Sequence, residues 1–324
     1  MSRAPGVIGG FSEAGVVVRD LAAWTALLRD IAGWEMLAEG ALDDGWKRLW
    51  GVPAAETARE RLLGRAGSDK GHVRLFAFDG RERPEARGGT RAWDPGGHFD
   101  LDVRVTDMVA AREAVTRGGF RGVSPAPVRW RFGDLDVREW LVTGPESVVL
   151  ALIERLRPPP DPAPPATGFS GVFNASQIVA DMGAALDFYA RLGFRTVVRH
   201  TGPLADGGGQ VLGLAPDEAE RTPVDLAILH PAGVVDGSVE LVAFPGRDGR
   251  HAGPGARPDH RGINVLRFPV QDLPGFSDRL AHDGIAMEPP GIVEARLAPH
   301  GAVRALAVRS PDGAWLEFYE PRRG

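Results

Sequence analysis

Four stretches of the chain repeat one pattern of apolar and polar positions. Residues 13–34, 100–120, 174–194 and 265–285 each begin with a short alternating strand and pass through an Asp-apolar pair. Each then continues as a helical stretch and leaves by a Gly-apolar step. Asp20, Asp107, Asp181 and Asp272 stand where a carboxylate caps the free N–H groups of a helix. Gly33, Gly119, Gly193 and Gly284 stand where a helix ends in a left-handed residue. β-rich sequence with turn signals follows each helix, so the predicted unit is β-α-β-β-β. Side chains alternate across a strand, which sorts the first strands into faces. Phe99, Leu101, Val103 and Val105 form a helix-facing row, leaving Asp100, Asp102 and Arg104 on the other side. Leu266, Phe268 and Val270 likewise oppose Val265 and Arg267. Gln177 alone sits badly on its helix-facing side.

The pattern also repeats over half the chain. With Leu63 set on Leu229, nine aligned pairs are identical between residues 63–80 and 229–246: Leu63, Ala66, Gly67, Gly71, Val73, Leu75, Ala77, Phe78 and Gly80 with their counterparts. Asp107-Met108 matches Asp272-Leu273, and Pro145 matches Pro311, at nearly the same offset. Such a period predicts two similar domains rather than a solenoid. Arg157–Gly168 carries six prolines, which fix φ and remove donors, so an extended spacer is expected there. The predicted division is an N-terminal domain of two modules at 1–156, a linker at 157–168 and a C-terminal domain of two modules at 169–324.

Composition narrows the function classes. At 324 residues the chain is long enough for two cores. A net charge of −5, with no basic cluster interleaved with aromatics, argues against nucleic acid. The absence of cysteine excludes disulfides, a catalytic thiol and thiolate metal sites. No apolar run near the length of a membrane span and no secretory leader stand out, so a cytoplasmic protein away from the membrane is expected. The stretch at 207–214, Gly-Gly-Gly-Gln-Val-Leu-Gly-Leu, lacks the context of a phosphate loop and reads as a hairpin turn. There is no Gly-x-Ser-x-Gly, His-Glu-x-x-His or Asp-x-Asp calcium motif.

Two segments carry a family resemblance. Val179-Ala-Asp-Met182, followed by Leu186-Asp-Phe-Tyr-Ala-Arg-Leu-Gly-Phe194, resembles the entry strand, capped helix and exit of the vicinal oxygen chelate superfamily. Ser310-Pro-Asp-Gly-Ala-Trp-Leu-Glu-Phe-Tyr-Glu320 resembles its turn into a final strand bearing glutamate, with Ser310 in place of an Asp. That superfamily includes glyoxalase I, extradiol dioxygenases, methylmalonyl-CoA epimerase and bleomycin-type resistance proteins. The resemblance implies an α+β fold of four βαβββ modules, paired into two cup-shaped mixed sheets with helices outside. It also implies ligand positions seven residues before each capping Asp and on each last strand. Here those are Glu13, Asp100, Asn174 and Val265, then Arg74, Ala151, Glu240 and Glu317.

None of the eight positions is histidine, so the two-His-one-carboxylate iron triad of the dioxygenases is not reproduced. The expected cofactor is none. If a metal bound at all, Glu240, Glu317 and Asn174 would hold a weak divalent ion such as Mg²⁺ or Mn²⁺. The competing reading makes Arg267 the counter-ion of those glutamates. The N-terminal cup is expected to gather Glu13, Asp100 and Asp102 against Arg74 and Arg104 as a balanced salt-bridge network.

Chemistry is accordingly expected in a C-terminal cup. Glu240 or Glu317 serves as general base there, and Arg267 or His200 polarises a carbonyl. Asn174, Ser176, Tyr319, Trp50, Trp130 and Trp140 are the expected ligand-binding residues, the tryptophans falling in strands of the N-terminal domain. The expected partner is a small apolar or aromatic molecule, and a homodimer is compatible with the pattern. The leading function is carboxylate-based proton transfer of the isomerase, epimerase or lyase type. A metal-free binding or resistance protein and a metal-dependent dioxygenase or glyoxalase are the alternatives.

Overall fold

The computed structural model describes residues 7–80, 82–161, 163–252 and 256–322; Pro162 of the spacer and both chain ends fall outside them. The first module holds β1 (Glu13–Val17), α1 (Leu21–Ala32), β2 (Glu35–Ala41), α2 (Asp44–Trp50), β3 (Ala58–Gly64) and β4 (His72–Phe78). The second holds β5 (Asp100–Arg104), α3 (Met108–Arg117), β6 (Arg121–Gly122), β7 (Val128–Phe132), β8 (Leu135–Thr143) and β9 (Val149–Arg157). The third comprises β10 (Val172–Ile178), α4 (Met182–Leu192), β11 (Arg195–His200), α5 (Pro216–Ala219), β12 (Asp225–His230) and β13 (Ser238–Ala243). The fourth comprises β14 (Gly262–Pro269), α6 (Leu273–His282), β15 (Val293–Leu297), β16 (Gly301–Arg309) and β17 (Trp315–Pro321).

Local chemistry sets these elements. Asp20, Asp107, Asp181 and Asp272 each accept a hydrogen bond from the backbone of the helix they precede, satisfying donors that have no partner inside the helix. Gly33, Gly119, Gly193 and Gly284 all take positive φ at the helix exits, where a Cβ is strained. Gln177 is reconciled with its apolar face by a partner: its Nε2 donates to His98 Nδ1 at 3.3 Å, while His98 Nε2 donates to the Trp315 carbonyl at 3.1 Å. Burial holds that imidazole neutral, with its pKa down to about 4.

Among the described residues the strands form two curled sheets. The first runs β15-β16-β17-β14-β1-β4-β3-β2, and the second β11-β12-β13-β10-β5-β9-β8-β6 with β7 beside β8. The modules therefore pair first with fourth and second with third, which corrects the division at the proline spacer. Two antiparallel seams create this arrangement. Glu13 of β1 lies opposite Arg267 of β14, and Asp102 of β5 lies opposite Asn174 of β10. Residues 157–168 join β9 to β10, two strands that both border β5, so the spacer turns within one sheet. The chain crosses between sheets at 79–99 and 244–261 instead. Those crossings are stitched together: Ala86 and Arg261 bond through their backbones, and buried Arg83 meets Glu56 at 2.6 Å and Asp259 at 3.3 Å.

The repeated stretches 63–80 and 229–246 are equivalent hairpins, β3–β4 and β12–β13. In each, the inner strand runs parallel to the first strand of its module. The stretch at 207–214 is not a hairpin turn; it falls largely in an irregular helical segment at 205–212. Helices α1 and α6 cover the outside of the first sheet and α3 and α4 that of the second. One continuous core joins Leu28, Val115, Leu192 and Phe276 of the helices to Leu75, Leu101, Leu241 and Leu316 of both sheets. No helix among the described residues is long and apolar enough to cross a membrane.

Because each sheet needs strands from both halves of the chain, residues 1–156 and 169–324 are expected to be unstable when expressed alone. Co-expressed, they should purify as a one-to-one complex. Two fragments that each unfold cooperatively as monomers in size-exclusion and thermal-melt experiments would contradict this pairing.

Candidate functional site

The two sheets present cups of opposite character. In the first, Arg74 grips Glu13 with two hydrogen bonds of 2.8 Å each and reaches Glu60 at 2.8 Å. Arg267 bonds Glu13 at 2.7 Å and Glu317 at 2.5 Å. Trp50 and Trp315 both donate to Glu317 Oε1, at 2.5 and 3.0 Å, and the Arg267 guanidinium lies 4.0 Å from the Trp46 ring centre. All five charged groups are buried. The Arg74 and Arg267 charges overcome burial at Glu13 and hold its pKa near 2. At Glu60 burial wins and the pKa rises. Helix α2 carries Trp46 and Trp50 into the cup, where they pack with Phe76, Val265 and Trp315. This cup is closed, and its charges are paired with one another.

The second cup is open. Its walls surround a cavity of about 280 Å³, near the small end of ligand pockets, which run about 300–1,000 Å³. Phe99, Trp130, Val137, Leu141, Val211 and Ile228 supply apolar surface, and four carboxyl groups line it: Asp100, Asp102, Glu139 and Glu240. Asn174 Nδ2 donates to Asp102 at 2.9 Å and to Glu240 at 3.0 Å, while its Oδ1 accepts from Ser238 at 2.8 Å. The Ser176 backbone N–H donates to Asp100 at 3.2 Å, and Trp130 Nε1 to Glu139 at 2.8 Å. Burial, reinforced by the Asp100 and Glu139 charges, pushes Glu240 up to about 8. Burial likewise pushes Glu139 to about 7 against its bond from Trp130. Asp102 is raised well above the usual range by burial and by its three acidic neighbours, and Asp100 is raised by burial.

The repeat explains the difference position by position. Registers place Glu13 and Asn174, Arg74 and Glu240, Arg267 and Asp102, and Glu317 and Ala151 at equivalent points. Both arginines of the closed cup thus become carboxylates in the open one. Where α2 delivers two tryptophans to the closed cup, the 205–212 segment lies over the open one through Gly208, Val211 and Leu212. Gly208 abuts Trp130 so closely that a Cβ there would lie 2.6 Å from its ring.

Several expected site residues are consequently relocated. Glu240 and Asn174 share the open cup, but Glu317, Arg267 and Tyr319 belong to the closed one. Glu240, Glu317 and Asn174 therefore cannot bind one ion together. Glu13 and Arg74 are likewise parted from Asp100, Asp102 and Arg104, so the expected balanced network exists only around the first pair. Tyr319 OH meets Ser12 at 3.1 Å and His300 at 3.2 Å. Trp50 and Trp46 ride on a helix rather than a strand, because the Asp43 cap and Gly51 exit bracket a full helical stretch. Trp140 packs in the core between the sheets and donates to the Ser124 carbonyl at 3.0 Å, away from the cavity. Trp130 and Ser176 do line it. His200 ends β11 beside Phe132, 5.8 Å between ring centres, and its Nε2 donates to the Gly202 carbonyl at 3.0 Å. Sequence reasoning missed Glu139, which lies on β8 outside the positions that the resemblance marks.

Metal chemistry of the implied kind is not matched by these side chains. Among the described residues no three histidine, aspartate or glutamate groups are arranged to hold an ion. The open cup supplies carboxyl and amide oxygens but no imidazole.

Two expectations follow. Glu317→Gln leaves Arg267 partly unpaired in a dry site and should cost about 3–5 kcal/mol, as breaking buried ion pairs does. Denaturant unfolding measures the loss, and ligand binding in the open cup should persist; an unchanged midpoint would contradict the network. The second concerns pH. Folded Glu240 and Glu139 titrate near 8 and 7 instead of 4.5, so the folded chain holds the extra protons in between. Their contribution to stability therefore falls as pH rises from about 4.5 to 8. Glu240→Gln should flatten the fall in melting temperature between pH 5 and 8, and an unaltered slope would show an ordinary carboxylate.

Comparison with known proteins agrees with the architecture. Residues 171–318 match the family described as Glyoxalase/Bleomycin resistance protein/Dioxygenase superfamily; no curated protein matches the chain in sequence. Glyoxalase I from Zea mays superposes with a TM-score of 0.62 at 13% identity, over 96% of this chain and 92% of that one. A putative dioxygenase from Bacillus subtilis subsp. subtilis str. 168 gives 0.61 at 13% identity, over 99% and 87%. At these identities the likeness is one of fold. Residues 171–318 thus match the model of that superfamily, and the chain shares the fold of these solved structures over nearly its full length.

Proposed function

We propose that the chain is an enzyme of proton transfer, acting without a metal on a small apolar molecule held in the cup of the second and third modules. The observation that carries this reading is Glu240, a carboxyl group titrating near 8 on the wall of an apolar cavity and oriented by Asn174. A general base works best when its pKa lies near the working pH, and such groups contribute about 10²–10⁴-fold to rate. Glu139, likewise raised to about 7 by burial and held by Trp130, supplies a second carboxyl group. Two carboxyl groups that both titrate near the working pH suit removal of a proton from carbon by one and return by the other. The reaction class supported best is isomerisation, epimerisation or elimination beside a carbonyl. Arg267, Glu317 and Tyr319 have no part in it, being packed in the closed cup.

Incubation of the protein in ²H₂O with apolar carbonyl compounds that bear an acidic C–H tests the reading by ¹H NMR. Loss of that proton signal is expected, with a rate rising through about pH 8 as Glu240 ionises. Glu240→Gln should abolish exchange and a chelator should leave it unchanged. Binding of such compounds with no exchange into any of them would assign the cup to sequestration.

A further inference from the structure

Four carboxyl groups face one cavity, and among the described residues none of them is ion-paired, although Arg104 and Arg155 border the same cavity and the Arg87 charge reaches Asp100. Arg104, at the edge of the cavity, is engaged by Asp236 at 2.7 Å and lies 3.7 Å over the Phe173 ring. Arg87 stacks near Phe99 and donates to the Gly96 and Asp94 carbonyls. Arg155 also borders the cavity, yet neither it nor Arg104 forms an ion pair with the four groups among the described residues. Asp102 is 5% exposed; no N–H or hydroxyl donor reaches its buried Oδ1, and its remaining neighbour is the carboxyl group of Asp100, with which it shares a proton. A buried charge without a partner is costly, so these groups tend to keep their protons.

The closed cup shows what such a set of positions accepts. There the equivalents of Glu240 and Asp102 are Arg74 and Arg267, and their guanidinium groups occupy the centre among Glu13, Glu60 and Glu317. In the open cup both of those positions carry carboxyl groups instead of guanidinium groups. The surrounding wall is aromatic and aliphatic, which suits a hydrocarbon body better than a hydrated ion.

We infer that the open cup takes a small organic cation, an apolar or aromatic body carrying a primary or secondary ammonium group, with the nitrogen seated against Asp102, Asp100 and Glu240. This deepens the proposed function and rests on the same cup being the working site. The ammonium replaces the protons held by the carboxyl groups, so binding releases protons to the buffer. Asn174 acts as a positioning residue, because one amide nitrogen holds Asp102 and Glu240 toward the same point.

A matched series tests it: 2-phenylethylamine, 2-phenylethanol and phenylacetate share one body and differ in charge. Calorimetry at pH 7.5 is expected to show the amine binding at least tenfold more tightly than the alcohol and the acid most weakly. The apparent enthalpy should change with buffer ionisation heat in the sense of proton release. Asp102→Asn should remove the preference for the amine while leaving alcohol binding in place, which also reports that the variant is folded. Equal or weaker binding of the amine overturns the inference, as does Mn²⁺ binding that depends on Asp102 and displaces the amine. Amine binding without proton exchange into any carbonyl compound leaves the inference standing and removes the proposed catalysis. Exchange into neutral carbonyl compounds without preference for the cation does the reverse.

Discussion

Two antiparallel seams, β1 against β14 and β5 against β10, decide the rest of this molecule. Each seam closes a sheet from modules far apart in one case and adjacent in the other. The charged side chains on the cup faces then meet partners that their own half of the chain does not supply. Arg267 reaches Glu13 across 254 residues of sequence. Had the modules paired in chain order, Arg74 would face Asp100 and Asp102, and neither cup would have its present charge.

The pairing sorts the ionisable groups into two opposite solutions of one problem, the cost of burying charge. In the closed cup three carboxylates and two guanidinium groups pair, with indole N–H groups as further donors, and tryptophans exclude water. A network of that sort contributes more to defining one arrangement than to net stability, since desolvation offsets most of the attraction. In the open cup Glu240 and Asp102 stand where the two arginines do, and the balance is met by retained protons and by space. Perturbed carboxyl groups beside a cavity are the usual mark of a functional site. The duplicated architecture thus holds one cup closed by paired charges and leaves a cavity in the other. The segment at 205–212 lines that cavity, with Gly208 packed directly against the Trp130 ring.

The four modules, their caps and exits, and the facing of each first strand were legible from the residues. Each rests on interactions within a few positions: Asp20 with Ala22 and Ala23, Gly33 at a helix end, Asp102 two residues from Asp100. So was the acidic character of Glu240 and the absence of a histidine at any inferred ligand position. Helix α2 was not legible, since seven residues between two strands carry little periodicity to set against the β pattern around them. Trp140 was misassigned for a related reason: two tryptophans on nearby strands differ only in which face they occupy, and a bulge beside Val137 shifts that register.

What the sequence determined by itself is everything encoded locally: the units, their repetition and the chemistry available on each strand face. Which units share a sheet was decided only in the tertiary structure. Strand edges present the same N–H and C=O groups whatever their neighbours, so the local pattern does not name the partner. The proline spacer looked like a boundary because proline cannot pair, yet a non-pairing segment can turn within a sheet as readily as it can leave one. That single non-local choice separated Glu240 from Glu317, gave Arg267 to Glu13, and left Asp100, Asp102, Glu139 and Glu240 together around an open cavity.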